Sequence, residues 1–176
     1  MIDPSWDLEK LTEIINEQNL NPKYIVNTHW HDDHTKGNEE LAKELSVKIG
    51  PHNASQLKND LTVSDGDSIK FGCSELAVYH TPVHSKDGIC LVGDGKIFSG
   101  DTLFVGNCGR IDLPGGSAKE LYHGLFDVIA NLSDDLILYP GHDYGSSPTS
   151  TIGKEKQTNP LMQKITEAEF VERMGG

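Results

Sequence analysis

No apolar run in this chain approaches the roughly 18 residues needed to span a bilayer, which excludes a membrane-crossing helix. The opening MIDPSWDLEK has no basic flank followed by an apolar stretch, so no secretory leader is visible. Cysteine is sparse: Cys73, Cys90 and Cys108 stand alone without a C-x-x-C pair. That count excludes a disulfide scaffold and fits a reducing, cytoplasmic setting. Basic residues are also few, 15 Lys and Arg against 27 Asp and Glu, for a net charge of −12. No block of Lys or Arg supplies the basic face that a nucleic-acid footprint requires. Acidity of this size favours solubility, and it obliges any anionic substrate to find a local positive group. A phosphate-cradling glycine loop is missing too, since GDGK is too short and sits inside a hairpin pattern.

What is present suits one loop-rich globular domain over residues 1–176, with 36% hydrophobic residues, 18 glycines and 8 prolines. Residues 7 to 19 carry Leu8, Leu11, Ile14 and Ile15 at helical spacing, and Asn21-Pro22 ends that run. KYIVNT at 23 to 28 reads as a short buried strand, followed by a helix at 38 to 45 and a strand at 47 to 49. DSIKFG and ELAVYHT read as paired strands around 67 to 81. The stretch from 89 to 101 reads as a hairpin turning at Asp94-Gly95. Residues 118 to 131 read as helix, ILYPGH as a strand, and TEAEFVERM as a helix opened by a Thr cap with Glu169 three positions on. Without linker or repeat, this order predicts an α/β (α+β layered) domain.

The chemistry concentrates in THWHDDHTKGN, residues 28 to 38, where three histidines and two aspartates are crowded together. As the chain leaves a strand, His29 and His31 share a face and can grip one ion. Asp33 and His34 come as the chain turns and aim at a second point. Three further strand-end loops each add one donor: His84 in HTPVHSKDG, Asp101 in FSGDTLF and His142 in LYPGHDYG. A single histidine after a strand means little. Loops at one sheet edge converge, so four in this order build a site. His52, His80 and His123 fall outside the pattern and read as structural or surface residues.

These motifs resemble the metallo-β-lactamase fold superfamily, in its glyoxalase II and persulfide dioxygenase branch, over nearly the whole chain. The resemblance implies an αββα sandwich, N-terminally shortened here, and two divalent metal ions, zinc foremost, with iron or manganese as alternatives. It implies that His29, His31 and His84 hold one ion, that Asp33, His34 and His142 hold another, and that Asp101 bridges them. Asp33 would also orient the attacking water. Such ion pairs polarise a carbonyl and make water nucleophilic near neutral pH, so the implied reaction is glyoxalase II-like hydrolysis of a small thiol-derived thioester.

GRIDLPGGS at 109 to 117 and TIGKEKQTNP at 151 to 160 resemble short glyoxalase II forms. CGRID at 108 to 112 and EFVERMG at 169 to 175 resemble persulfide dioxygenases, in which one iron would be held by His29, His84 and Asp101. A third reading is a metal-binding member of the family without turnover. Arg110 is the candidate for a substrate carboxylate, while Lys154 and Lys156 read as a solvated helix face. Two departures matter. Val83 stands where the family has a glycine, and a positive φ there would strain it. The family's first strands precede the IDP that opens this chain, so an uncovered edge and a homo-oligomer are expected.

Overall fold

The computed structural model describes residues 1–57 and 59–175. Its elements, in chain order, are α1 (Leu8–Glu17), β1 (Tyr24–Ile25), α2 (Asp32–Thr35), α3 (Asn38–Leu45), β2 (Lys48–Ile49), β3 (Ser68–Phe71), β4 (Ser74–His80), β5 (Ile89–Gly93), β6 (Lys96–Gly100), β7 (Leu103–Phe104), β8 (Asn107–Cys108), α4 (Ala118–His123), β9 (Ile137–Pro140), β10 (Ser150–Thr151), α5 (Ile152–Thr158) and α6 (Glu167–Arg173). A mixed six-stranded sheet runs β10-β9-β6-β5-β4-β3, while β1 and β2 pair in parallel apart from it. Met1 to Asp3 lies along β1, through Val26 N–H to Met1 O and Asp3 N–H to Val26 O. Among the described residues no helix is long and apolar enough to cross a membrane.

Strand alternation sorts the core into layers. On β5, Cys90 joins Ile97, Leu121, Leu125, Leu138, Ile152 and Phe170 in the cluster beneath α4, α5 and α6. Its neighbours Ile89 and Leu91 face the other way, to Val26, Leu76 and Val78 between the two sheets. Ile25 points outward again, to Leu41, Val47 and Ile49, and α1 closes that cluster with Leu8 and Leu11. The outcome is the αββα order, with a much-reduced second sheet. An open cleft of about 730 Å³ between the sheets is walled by Ile2, Tyr24, Ile69, Phe71, Phe98 and Tyr139.

The β5–β6 hairpin turns where expected. Asp94 and Gly95 take φ of 47° and 72°, the paired positive values that a two-residue hairpin turn demands. Thr166 and Glu169 form the expected capping box. The helix expected over 118 to 131 is α only to His123, then widens to a π turn over Gly124–Val128 and tightens to a 3₁₀ turn over Ile129–Asn131. That irregularity sits opposite Val83. The strain expected at Val83 is not present, because Val83 is not among the positive-φ residues and is fully buried in the helical-side core. A Cβ on Gly124 would come within 2.8 Å of Val83 Cγ2. The glycine across the interface therefore makes the room that valine fills.

Candidate metal centre

β1 delivers the chain into the 28–38 loop, and buried amides hold that loop in place. Asn27 Nδ2 donates to His34 O at 3.1 Å, and Asn38 Nδ2 donates to Asn27 Oδ1 at 2.7 Å. The Ser5 hydroxyl donates to Asp33 O. His84 follows β4, Asp101 follows β6 and His142 follows β9. β6 and β9 are neighbours in the sheet, so Asp101 and His142 leave it side by side. The last loop must come in very close, since a Cβ at Gly141 would lie 2.5 Å from Asp101 Oδ1 and 2.8 Å from His34 Cε1. Glycine is the residue that permits that approach.

All seven expected donors converge. Their ligand atoms form three groups, each within 4.8 Å: His29, His31 and His84; His29, His34 and Asp101; Asp33, His34 and His142. Asp101 stands between the rest, with Oδ2 3.7 Å from His84 Nε2 and 3.6 Å from His142 Nε2. His84 Nε2 lies 3.0 Å from His31 Nδ1, and His34 Nε2 lies 3.2 Å from His142 Nε2. Two nitrogens bound to one tetrahedral ion at about 2.0–2.1 Å would stand roughly 3.3 Å apart, close to the second spacing and somewhat above the first.

Proton bookkeeping on the rings agrees with ligation. His84 Nδ1 faces the carbonyl of Arg110 at 2.8 Å. A carbonyl only accepts, so Nδ1 carries the hydrogen and Nε2 keeps its lone pair for an ion. His34 Nδ1 is 3.0 Å from Asp3 Oδ2. That carboxylate is itself fixed by the Thr28 N–H at 2.8 Å and the Thr28 hydroxyl at 2.6 Å. Asp3 thus orients one ligand ring from behind, a role its position in the sequence did not reveal. The His29 Nε2 and Asp101 Oδ1 atoms are buried without a hydrogen-bond partner. Asp101 Oδ1 does lie 3.3 Å from His34 Nε2, a contact of charge without hydrogen-bond alignment. Buried polar atoms left unpaired are costly, and a divalent cation is what this donor set fits.

Electrostatics reflect the crowding. Burial, then the neighbouring His34, push the His29 imidazole down to about 2. Burial and His84 also lower His31. At His34 burial acts downward, but the Asp101 and Asp3 carboxylates on either side of the ring outweigh it and raise it to about 10. Asp101 is lowered despite its burial, because it faces His34, His29 and His142.

The pocket over these donors is walled by Trp30, Phe104, Cys108, Leu113 and Tyr144. Tyr144 stacks on His142 with ring centroids 4.7 Å apart, and Phe104 meets Tyr144 edge-on at 5.3 Å. Arg110 reaches the rim of this pocket but is not free. Its Nε and Nη2 grip Asp112 at 2.6 and 2.5 Å, and both side chains are 63% exposed. The three remaining histidines are elsewhere, as expected. His52 stacks on His80 at 4.0 Å, and His123 pairs with Asp127 and Glu167.

A fold of this order with ligand loops at one sheet edge defines a metal-dependent enzyme class, and the comparisons with known proteins name it. The family model for the metallo-beta-lactamase superfamily matches residues 1–142, and the chain belongs to that superfamily. The human protein described as mitochondrial persulfide dioxygenase ETHE1 is 36% identical over 179 residues, covering 99% of this chain and 70% of the relative. A Schizosaccharomyces pombe protein described as probable hydroxyacylglutathione hydrolase glo2 is 36% identical over 200 residues, covering 92% and 76%. Among solved structures, ETHE1 from Myxococcus xanthus superposes with a TM-score of 0.94 at 29% identity, covering 99% of this chain and 78% of that one.

Proposed function

We propose that the protein is a two-metal hydrolase of small thiol-derived thioesters, related in reaction to hydroxyacylglutathione hydrolases. This reading is supported by the second set of donors: all seven donors are present under either reading, but only hydrolysis through two ions needs them all. His34 and His142 present facing Nε2 atoms at 3.2 Å, and the Asp33 carboxylate is 3.4 Å from His142 Nε2. His29, His31 and His84 would hold one ion, Asp33, His34 and His142 the other, with Asp101 reaching both. When bound, such ions polarise the substrate carbonyl and lower the pKa of water toward neutrality. The chain's own groups do the rest. Asp33, about half exposed and lining the pocket over the donors, is placed to orient the attacking water. Trp30, Phe104, Leu113 and Tyr144 shelter the thiol-bearing part from solvent. Arg110, once it leaves Asp112, would supply the positive group that a carboxylate needs in an acidic chain.

A second reading, iron-dependent persulfide oxidation on His29, His84 and Asp101 alone, draws support from the 36% identity to the human persulfide dioxygenase across 99% of this chain and from the 0.94 superposition. The two readings diverge at His142. Hydrolysis through two ions makes His142→Ala as damaging as His29→Ala, whereas a one-iron oxidation tolerates it. Thioester cleavage and oxygen uptake on a persulfide, measured on wild type and His142→Ala, decide between them. Thioester cleavage that is lost in His142→Ala fits the hydrolase. Iron-dependent oxygen uptake that survives His142→Ala, with no thioesterase activity in either protein, overturns it.

A further inference from the structure

We infer that Glu155 and Asn159 are positioning residues for the substrate pocket: a buried carboxylate–amide bracket that sets the β7–β8 hairpin as the pocket's wall. The inference rests on reading the pocket over the metal donors as the substrate pocket.

The stretch TIGKEKQTNP looks like a solvated helix, but one of its charges is not solvated. Glu155 is 1% exposed and Asn159 fully buried. None of the ion pairs among the described residues involves Glu155. Hydrogen bonds alone therefore offset the burial of this carboxylate. Its Oε2 accepts from the Gly106 N–H at 2.8 Å and from Asn159 Nδ2 at 3.0 Å, and its Oε1 accepts from the Ser150 hydroxyl at 2.5 Å. Asn159 Nδ2 also donates to Asn107 O at 3.0 Å and faces Phe104 O at 3.4 Å.

The local sequence explains why these groups can reach. Pro160 disfavours helical backbone at the residue before it. Asn159 accordingly leaves α5 with φ −73° and ψ 119°, which turns its amide toward the hairpin. Gly106, at φ 74°, makes the tight turn and presents its N–H to the carboxylate. The hairpin is clamped from behind by α5, and in front it meets the loop that carries His142. A Cβ on Gly145 would come within 2.6 Å of Val105 Cβ. Phe104, on the clamped hairpin, stands 6.1 Å from the His142 ring and 5.3 Å from Tyr144. Asn107 and Cys108 line the same pocket. A two-residue ladder such as β7–β8 has little stability of its own, so its place depends on the bracket.

The test uses the metal-loaded full chain as wild type, Glu155→Gln and Ser150→Ala. Glutamine keeps the shape of the side chain but removes the charge that strengthens its three hydrogen bonds, and its new N–H has only the Ser150 hydroxyl, turned round to accept, as a partner. Hydrogen–deuterium exchange over residues 103 to 108, metal content and steady-state kinetics are read together. The expected result for Glu155→Gln is locally faster exchange over 103 to 108, unchanged metal content, and KM raised about fivefold or more with kcat within about twofold. Ser150→Ala removes one donor and should show the same pattern at smaller size, and it carries the test if Glu155→Gln does not fold. Exchange over 103 to 108 no faster than elsewhere, or kcat falling with the folded fraction while KM stays at the wild-type value, would overturn the inference. If wild type turns over neither a thioester nor a persulfide, the functional reading fails, and local exchange alone decides whether the bracket orders the hairpin.

Discussion

Asp3 shows how a residue distant in sequence can hold a metal-site ring in place. Its carboxylate takes two hydrogen bonds from Thr28 and spends its remaining capacity on His34 Nδ1. Asp3→Asn should weaken metal binding about 10- to 100-fold, the usual cost of losing a partner behind a ligand, as measured by chelator competition. An affinity equal to wild type would show that His34 needs no orientation. Arg110 poses the opposite case, an exposed charge already engaged. If it serves a substrate carboxylate, it must leave Asp112. Asp112→Asn should then lower KM for a carboxylate-bearing substrate and Arg110→Ala should raise it. Parallel changes in the two variants would count against that role. The donors themselves were legible in the sequence because histidine and aspartate at strand ends carry their chemistry in their identity. Asp3 was not, because its partner is 31 positions away and nothing local marks it.

Among the elements, those with a strong period or a cap could be read from the sequence: α1, α3, the β5–β6 hairpin and α6. Their signals are local and agree with the packing. The β7–β8 hairpin could not be read from the sequence, and α5 read only as a solvated helix face. Two-residue strands have no period to detect, and the polar face of α5 hides a buried glutamate whose need appears only once the hairpin is in place. The π turn after α4 begins at Gly124, which packs against Val83 more than 40 positions earlier. At α6 the prediction is quantitative. The Thr166 hydroxyl and backbone N–H hold Glu169 below the usual glutamate range. A lowered folded value means this contribution is full above the ordinary glutamate pKa of about 4.3 and fades as pH falls below it. Thr166→Ala should therefore lower Tm by about 2–4 °C near neutral pH, with a smaller difference at pH 3. Thermal melts at both pH values check this, and a gap that widened in acid would contradict it.

Across the whole molecule, four layers place one edge of the six-stranded sheet so that loops from β1, β4, β6 and β9 meet. Separation along the chain is no obstacle, since His34 and His142 are 108 positions apart and face each other at 3.2 Å. The layers also leave the two faces of the sheet covered differently. The helical side of the sheet is sealed by α4, α5 and α6, whereas the inter-sheet side opens into the apolar cleft. On the two-metal proposal this architecture builds two adjacent ion positions rather than one, and metal stoichiometry tests that most directly. Wild type and His142→Ala are each equilibrated with excess zinc, freed of unbound metal and analysed for metal per chain. About two equivalents are expected in wild type and about one in His142→Ala. A single equivalent in both proteins would contradict the proposal.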